Sequence, residues 1–142
     1  GNDRAQAKAI FSGECDIVLM NTYYFALMKF NNKKPEQKKW AKATDVIFYN
    51  QGGRGQHINV SGGAIAKYSK NNEEAIRFLE WMTQPKAQKI YSEVNFEYPV
   101  NPKVKLSGKI MEWGTFKADN IYISEIAKNS KKAQRIIDKV GW

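Results

Sequence analysis

An α/β fold is the class the sequence predicts, from three features. Short apolar or β-branched runs, Cys15-Asp16-Ile17-Val18-Leu19-Met20 and Val46-Ile47-Phe48-Tyr49, alternate with stretches of helical periodicity. Those stretches carry cap residues at their starts and Gly or Pro near their ends. Finally, 42% hydrophobic and 13% aromatic residues over 142 positions suit a folded chain, long enough for one ordinary core or two incomplete ones.

Taken in order, Asp3 is expected to cap a first helix running to Ser12, with Gln6 completing a capping box and Gly13 ending it. Cys15–Met20 then reads as a buried strand. Asn21 and Thr22 are N-cap residues, and Tyr23 to Phe30 continues as a helix. Lys33-Lys34-Pro35 breaks it, and Pro35 opens a short helix carrying Trp40. Val46–Tyr49 reads as a second strand, and Gln51-Gly52-Gly53-Arg54-Gly55 separates it from a third, His57-Ile58-Asn59-Val60. Asn72 should cap a helix whose Ala75, Ile76, Phe78, Leu79 and Met82 form one buried face. Pro85 starts another through about Val94, and Tyr98-Pro99-Val100-Asn101-Pro102 must be extended. Ile123 to Val140 reads as helix in two pieces divided near Asn129-Ser130, with Gly141 at its end.

Charge and chemistry exclude more than they select. The 23 basic and 14 acidic side chains give +9, which would suit a polyanion partner. The lysines are scattered, however, and the densest runs, such as Lys33-Lys34 and Lys131-Lys132, are only pairs. Cys15 is alone, so neither an internal disulfide nor a multi-cysteine metal cluster is open to this chain. His57 is the one histidine, which removes any multi-histidine metal site. Gly52-Gly53-Arg54-Gly55 lacks the Lys-Ser/Thr ending of a phosphate loop and reads as a turn or hinge. The carboxylates Glu93, Glu97 and Asp119 fall in no catalytic spacing, and no nucleophile elbow is present, so no enzyme is expected. No apolar run approaches a membrane span, and no signal peptide is read. The opening Gly1-Asn2-Asp3-Arg4 falls directly into a helix start, the expectation for a fragment of a mature chain.

Asn21-Thr22-Tyr23-Tyr24 carries the strongest chemistry. It places two phenols side by side where a strand ends and a helix begins, a common ligand position in open α/β proteins. Adjacent phenolates can bind a hard, highly charged metal ion. They also occur as one core ring beside one surface ring.

The order of the segments decides between these. Gly1-Asn2-Asp3-Arg4, Gly13-Glu14-Cys15-Asp16, Asn21-Thr22-Tyr23-Tyr24, Gly53-Arg54-Gly55-Gln56-His57-Ile58-Asn59-Val60-Ser61-Gly62 and Phe96-Glu97-Tyr98-Pro99-Val100-Asn101-Pro102 follow in series, closed by Val140-Gly141-Trp142. The series resembles the C-terminal half of the bacterial periplasmic ferric-ion-binding proteins, the substrate-binding components of iron ABC importers. That resemblance implies part of a two-lobed, type II periplasmic-binding-protein fold whose chain crosses the hinge. Residues 1–53 would belong to the C-terminal lobe, 54–104 would cross the hinge and complete the N-terminal lobe, and 105–142 would return. It also implies that Tyr23 and Tyr24 ligate Fe(3+) in the cleft, with Asn21 contacting an accompanying synergistic anion. The remaining ligands would come from an N-terminal half that this sequence lacks. The implied role is non-enzymatic: ferric ion is carried in the periplasm to a membrane permease, with no nucleic acid involved.

Chemistry agrees with this reading, because a small trivalent ion prefers anionic oxygen to sulfur. A phenol must lose its proton to the metal, so binding should weaken in acid. Two rivals stand beside it. One is a related binding protein for another ligand, an anion or an organic chelate. The other is a basic nucleic-acid-binding module, whose affinity would fall steeply with salt and ignore Tyr23→Phe.

Overall fold

Local chemistry sets the helix boundaries. In the computed structural model, which describes residues 2–141, α1 spans Asp3–Phe11. Its cap is Asn2, whose side-chain oxygen accepts the Ala5 N–H at 3.0 Å, one residue ahead of the expected Asp3. Gly13 ends the helix as expected, at φ +75°. Its N–H donates to the Ile10 carbonyl, and the Glu14 N–H donates to that of Ala9. This is the paired bonding of a Schellman turn, which needs the left-handed conformation glycine adopts freely. Helix α2 spans Thr22–Lys29 behind an extended Asn21, and α3 spans Pro35–Lys42 with its proline in the first turn.

Two units divide the described chain: one comprises the chain up to Ile47 with Asn59–Thr115, the other Phe48–Ile58 with the chain from Phe116. In the first, α2 is the centre. Phe25 and Met28, three residues apart, bury one face against Ala7 of α1 and Ala41 of α3. Ala26, on another face, packs with Phe96 and Ile110. Trp113 touches both clusters and meets Phe25 edge-on at 5.6 Å.

The same unit contains α4 (Asn72–Met82), α5 (Pro85–Ile90) and α6 (Gly108–Met111), of which α6 packs Ile110 against Ala26. Helix α5 passes into a π-helical turn, Tyr91–Asn95, which Phe96 closes at φ +59°. A bulky residue there is strained, and the burial of Phe96 against Ala26 and Ile110 holds it. The chain then runs without regular structure through Tyr98-Pro99, but it bends at Val100-Asn101 and turns at Pro102, with the Val104 N–H on the Asn101 carbonyl at 3.0 Å, so the extended run expected over Tyr98–Pro102 is cut short.

The second unit joins two extended segments. Gln56 and Ala118 form an isolated parallel bridge, with Gln56 N–H on the Lys117 carbonyl and Asp119 N–H on that of Gln56, both at 2.8 Å. Gln51 brackets Lys117 through its side-chain amide, and Arg54 pairs with Asp119 at 2.8 Å. Gly55 sits so close that a Cβ would lie 2.7 Å from the Ala118 carbonyl group. Helix α7, Ile123–Val140, follows and ends at Gly141.

Several expectations are corrected. Among the described residues the strands at 15–20, 46–49 and 57–60 have no ladder partners, and Ile17 is 84% exposed rather than buried. Strand pairing is non-local, and residues 2–141 place no second strand beside these runs. The face of α4 is likewise open, with Ile76 and Phe78 exposed and no residue buried. Its cap is Asn71, not Asn72. Helix α7 is continuous through Asn129-Ser130. There the Asn129 amide donates to the Glu125 carbonyl and the Ser130 hydroxyl to that of Ala127, so both side chains bond back along the helix instead of ending it.

Because Met28 is fully buried between three helices, Met28→Ala should cost about 2–5 kcal/mol. Urea unfolding would read this as a lower midpoint with an unchanged slope.

Candidate functional site

The first turn of α2 projects from the buried part of that helix, so its position is fixed by packing below it. Tyr23 and Tyr24 lie there side by side, with ring centroids 4.2 Å apart and planes at 33°. Both are half-buried. The expected pair is therefore brought together, at a helix start.

Asn21 stands at the N-cap, but its side chain makes no cap bond to the helix. Its N–H donates to Asp3 Oδ1 at 2.6 Å, and its Nδ2 donates to the same oxygen at 3.1 Å. Asn59 Nδ2 in turn donates to Asn21 Oδ1 at 3.1 Å. The chain's own carboxylate thus binds the donors that the sequence suggested for an anion. This also explains the shifted cap of α1: with Asn2 capping, Asp3 is free to face Asn21.

The hydroxyl hydrogen bond with Tyr24 is the main cause that pushes the Tyr23 phenol up to about 12. Burial adds to it, as do the negative charges of Asp3 and Glu97. Tyr98 is also raised to about 12, by burial alone. Arg4 lies over the Tyr24 ring, its Cζ 4.8 Å from the centroid. Asp3, Arg4 and Glu97 were not legible as neighbours of the tyrosines. The capping box read at Asp3 and Gln6 carries no information about a contact 18 residues away.

The donors fit a hard cation. Two phenol oxygens adjoin, and two carboxylates act on one of them, so the site offers oxygen and negative charge. Among the described residues no three of His, Cys, Asp and Glu gather to hold a metal, so a metal site here would rest on the tyrosines. A surface depression lined by Lys29, Lys38, Lys42 and Asp45 lies elsewhere and includes neither phenol. His57 is exposed. No described helix is long and apolar enough to cross a membrane.

Comparison with known proteins follows the same direction. Residues 1–89 match the family model described as bacterial extracellular solute-binding protein. Iron uptake protein A1 of Synechocystis is 38% identical over 142 residues, covering all of this chain and 39% of that protein. The solved ferric binding protein from Campylobacter jejuni superposes with a TM-score of 0.90 at 45% identity, over 99% of this chain and 44% of that one. A Trichodesmium protein (IdiA, FutA) solved in complex with iron and citrate gives 0.92 at 44%, over 100% and 45%. The chain therefore spans about two fifths of the curated relatives it matches. These neighbours have the two-lobed type II periplasmic-binding-protein architecture, and the expected place of this chain as part of it holds.

The raised phenols give a titration test. Tyrosinate absorbance should show two of the seven tyrosines ionising late, near pH 12, and Tyr23→Phe should remove one of those steps. A folded pKa above the unfolded value near 10 favours the protonated form. Stability from these groups is thus complete below about pH 10 and is lost as pH rises toward 12.

Removing the clamp gives a second. In Asp3→Ala the Asn21 N–H loses a charged acceptor, at a cost of about 1.5–3 kcal/mol. Amide exchange at Asn21 should accelerate while that at Met28 stays slow.

Proposed function

We propose that this chain, which belongs to the bacterial extracellular solute-binding protein family, forms part of a ferric-ion carrier in which Tyr23 and Tyr24 bind the metal as phenolates. The observation that carries this reading is the pair of phenols side by side at the start of a packed helix, ring centroids 4.2 Å apart, with the charges of Asp3 and Glu97 acting on Tyr23. Relatives named for iron uptake and ferric binding support it.

The chemistry runs through proton displacement. Tyr23 holds its proton to about pH 12 in the free protein, so ferric ion must expel it. Release of this proton makes affinity rise by about tenfold per pH unit below that value. Affinity therefore falls as the solution is acidified. Asn21 keeps a second amide hydrogen beyond the one given to Asp3, and we assign it to an anion accompanying the metal. The relative solved with iron and citrate favours a close variant, in which the metal arrives as an organic chelate.

The remaining ligands are assigned to the part of the polypeptide outside this chain, which covers under half of its solved neighbours. A chain that crosses the hinge between lobes near residues 53–59, so that closure can follow ligand binding, belongs to the same proposal. The periplasm as location and an ABC importer permease as recipient belong to the same proposal. The family description of an extracellular solute-binding protein supports both.

Ferric titration of the full-length protein at neutral pH, followed by visible absorption, tests the proposal. A band that saturates at one iron per protein and disappears in the Tyr23→Phe/Tyr24→Phe variant is expected. Absence of any visible band would remove the ferric reading. A band seen only when citrate is added would select the chelate variant.

A further inference from the structure

Arg4 is the cation nearest the candidate ligands, and the ferric reading gives it no role. It lies in the first turn of α1, half-buried, with its guanidinium carbon 4.8 Å from the centre of the Tyr24 ring. Among the described residues it forms no ion pair, although other arginines here do, Arg54 with Asp119 and Arg77 with Glu73. Its neighbour Asp3 is instead committed to Asn21. The Asp3 bonds tie the start of α1 to the start of α2, which holds the guanidinium over the ring.

We infer that Arg4 is a positioning residue for Tyr24, holding its ring and stabilising the phenolate it becomes on binding metal. This rests on the ferric reading above. A cation over the face of a ring is attracted to its π electrons, and the attraction grows when the ring becomes an anion. Arginine suits the place because its flat guanidinium stacks and stays charged. A phenolate bound to ferric ion absorbs visible light by passing an electron from its π system to the metal. A cation above the ring lowers that π level, so the transition needs more energy and the phenolate holds its electrons more tightly. Arg4 therefore sets the orientation of the ring and the colour of the site without touching the metal.

The full-length protein with Arg4→Gln and Arg4→Lys tests this. In the metal-free protein, near-ultraviolet circular dichroism of the tyrosines should change in Arg4→Gln, and the change should be absent when Tyr24→Phe is the background. With ferric ion bound, the visible band should move to longer wavelength in Arg4→Gln and stay near its place in Arg4→Lys. A band unmoved in Arg4→Gln would overturn the role of Arg4 and leave the ferric reading standing. No band in the unsubstituted protein would overturn both. Should Arg4→Gln fail to fold, Arg4→Lys carries the test, and a band that moves to longer wavelength there although the charge is kept would also overturn the inference.

Discussion

Helix α2 is buried from two sides, and the arrangement of the larger unit depends on that constraint. Phe25 and Met28 commit one face to α1 and α3, while Ala26 commits another to Phe96 and Ile110. An eight-residue helix has little stability of its own, so tertiary packing must supply it. What remains unburied is its first turn, which holds the paired phenols. The side chains with chemical potential are thus the ones that packing leaves over, set on a base that packing makes stiff.

Polar contacts refine what packing begins. Asp3 and Arg4 are consecutive and of opposite charge, yet they do not neutralise each other. One takes the backbone and side-chain amide of Asn21, and the other lies on the Tyr24 ring. Asn59 reaches the same Asn21 from beyond the glycine-rich connection. Three distant parts of the chain therefore meet at one asparagine. Glu97, which follows the left-handed turn at Phe96, acts by its charge on the neighbouring Tyr23.

Much of this was legible where the cause is local. Pro35 opened α3, Gly13 and Gly141 closed their helices, and Asn21-Thr22 marked the start of α2. The ordered motifs also gave the two-lobed fold, because a series of segments carries more information than any one of them. What could not be read is non-local. Whether Cys15–Met20 is buried depends on neighbours that periodicity does not reveal, and Ile17 proved exposed. Asn129-Ser130 looked like a break because both residues favour turns, but a helix lets both bond back to earlier carbonyls. The Asp3–Asn21 clamp left no pattern at all, since an aspartate in a first helical turn is ordinary.

Gly55 has a consequence of a different kind. Its backbone has φ +107°, and the carbonyl group of Ala118 occupies the space where any side chain would begin. Every other amino acid brings that first carbon. Any missense change in this codon therefore pushes apart the two segments joined by Gln56 and Ala118. The position is closed to gradual drift: a lineage can leave glycine here only after the chain opposite has already moved.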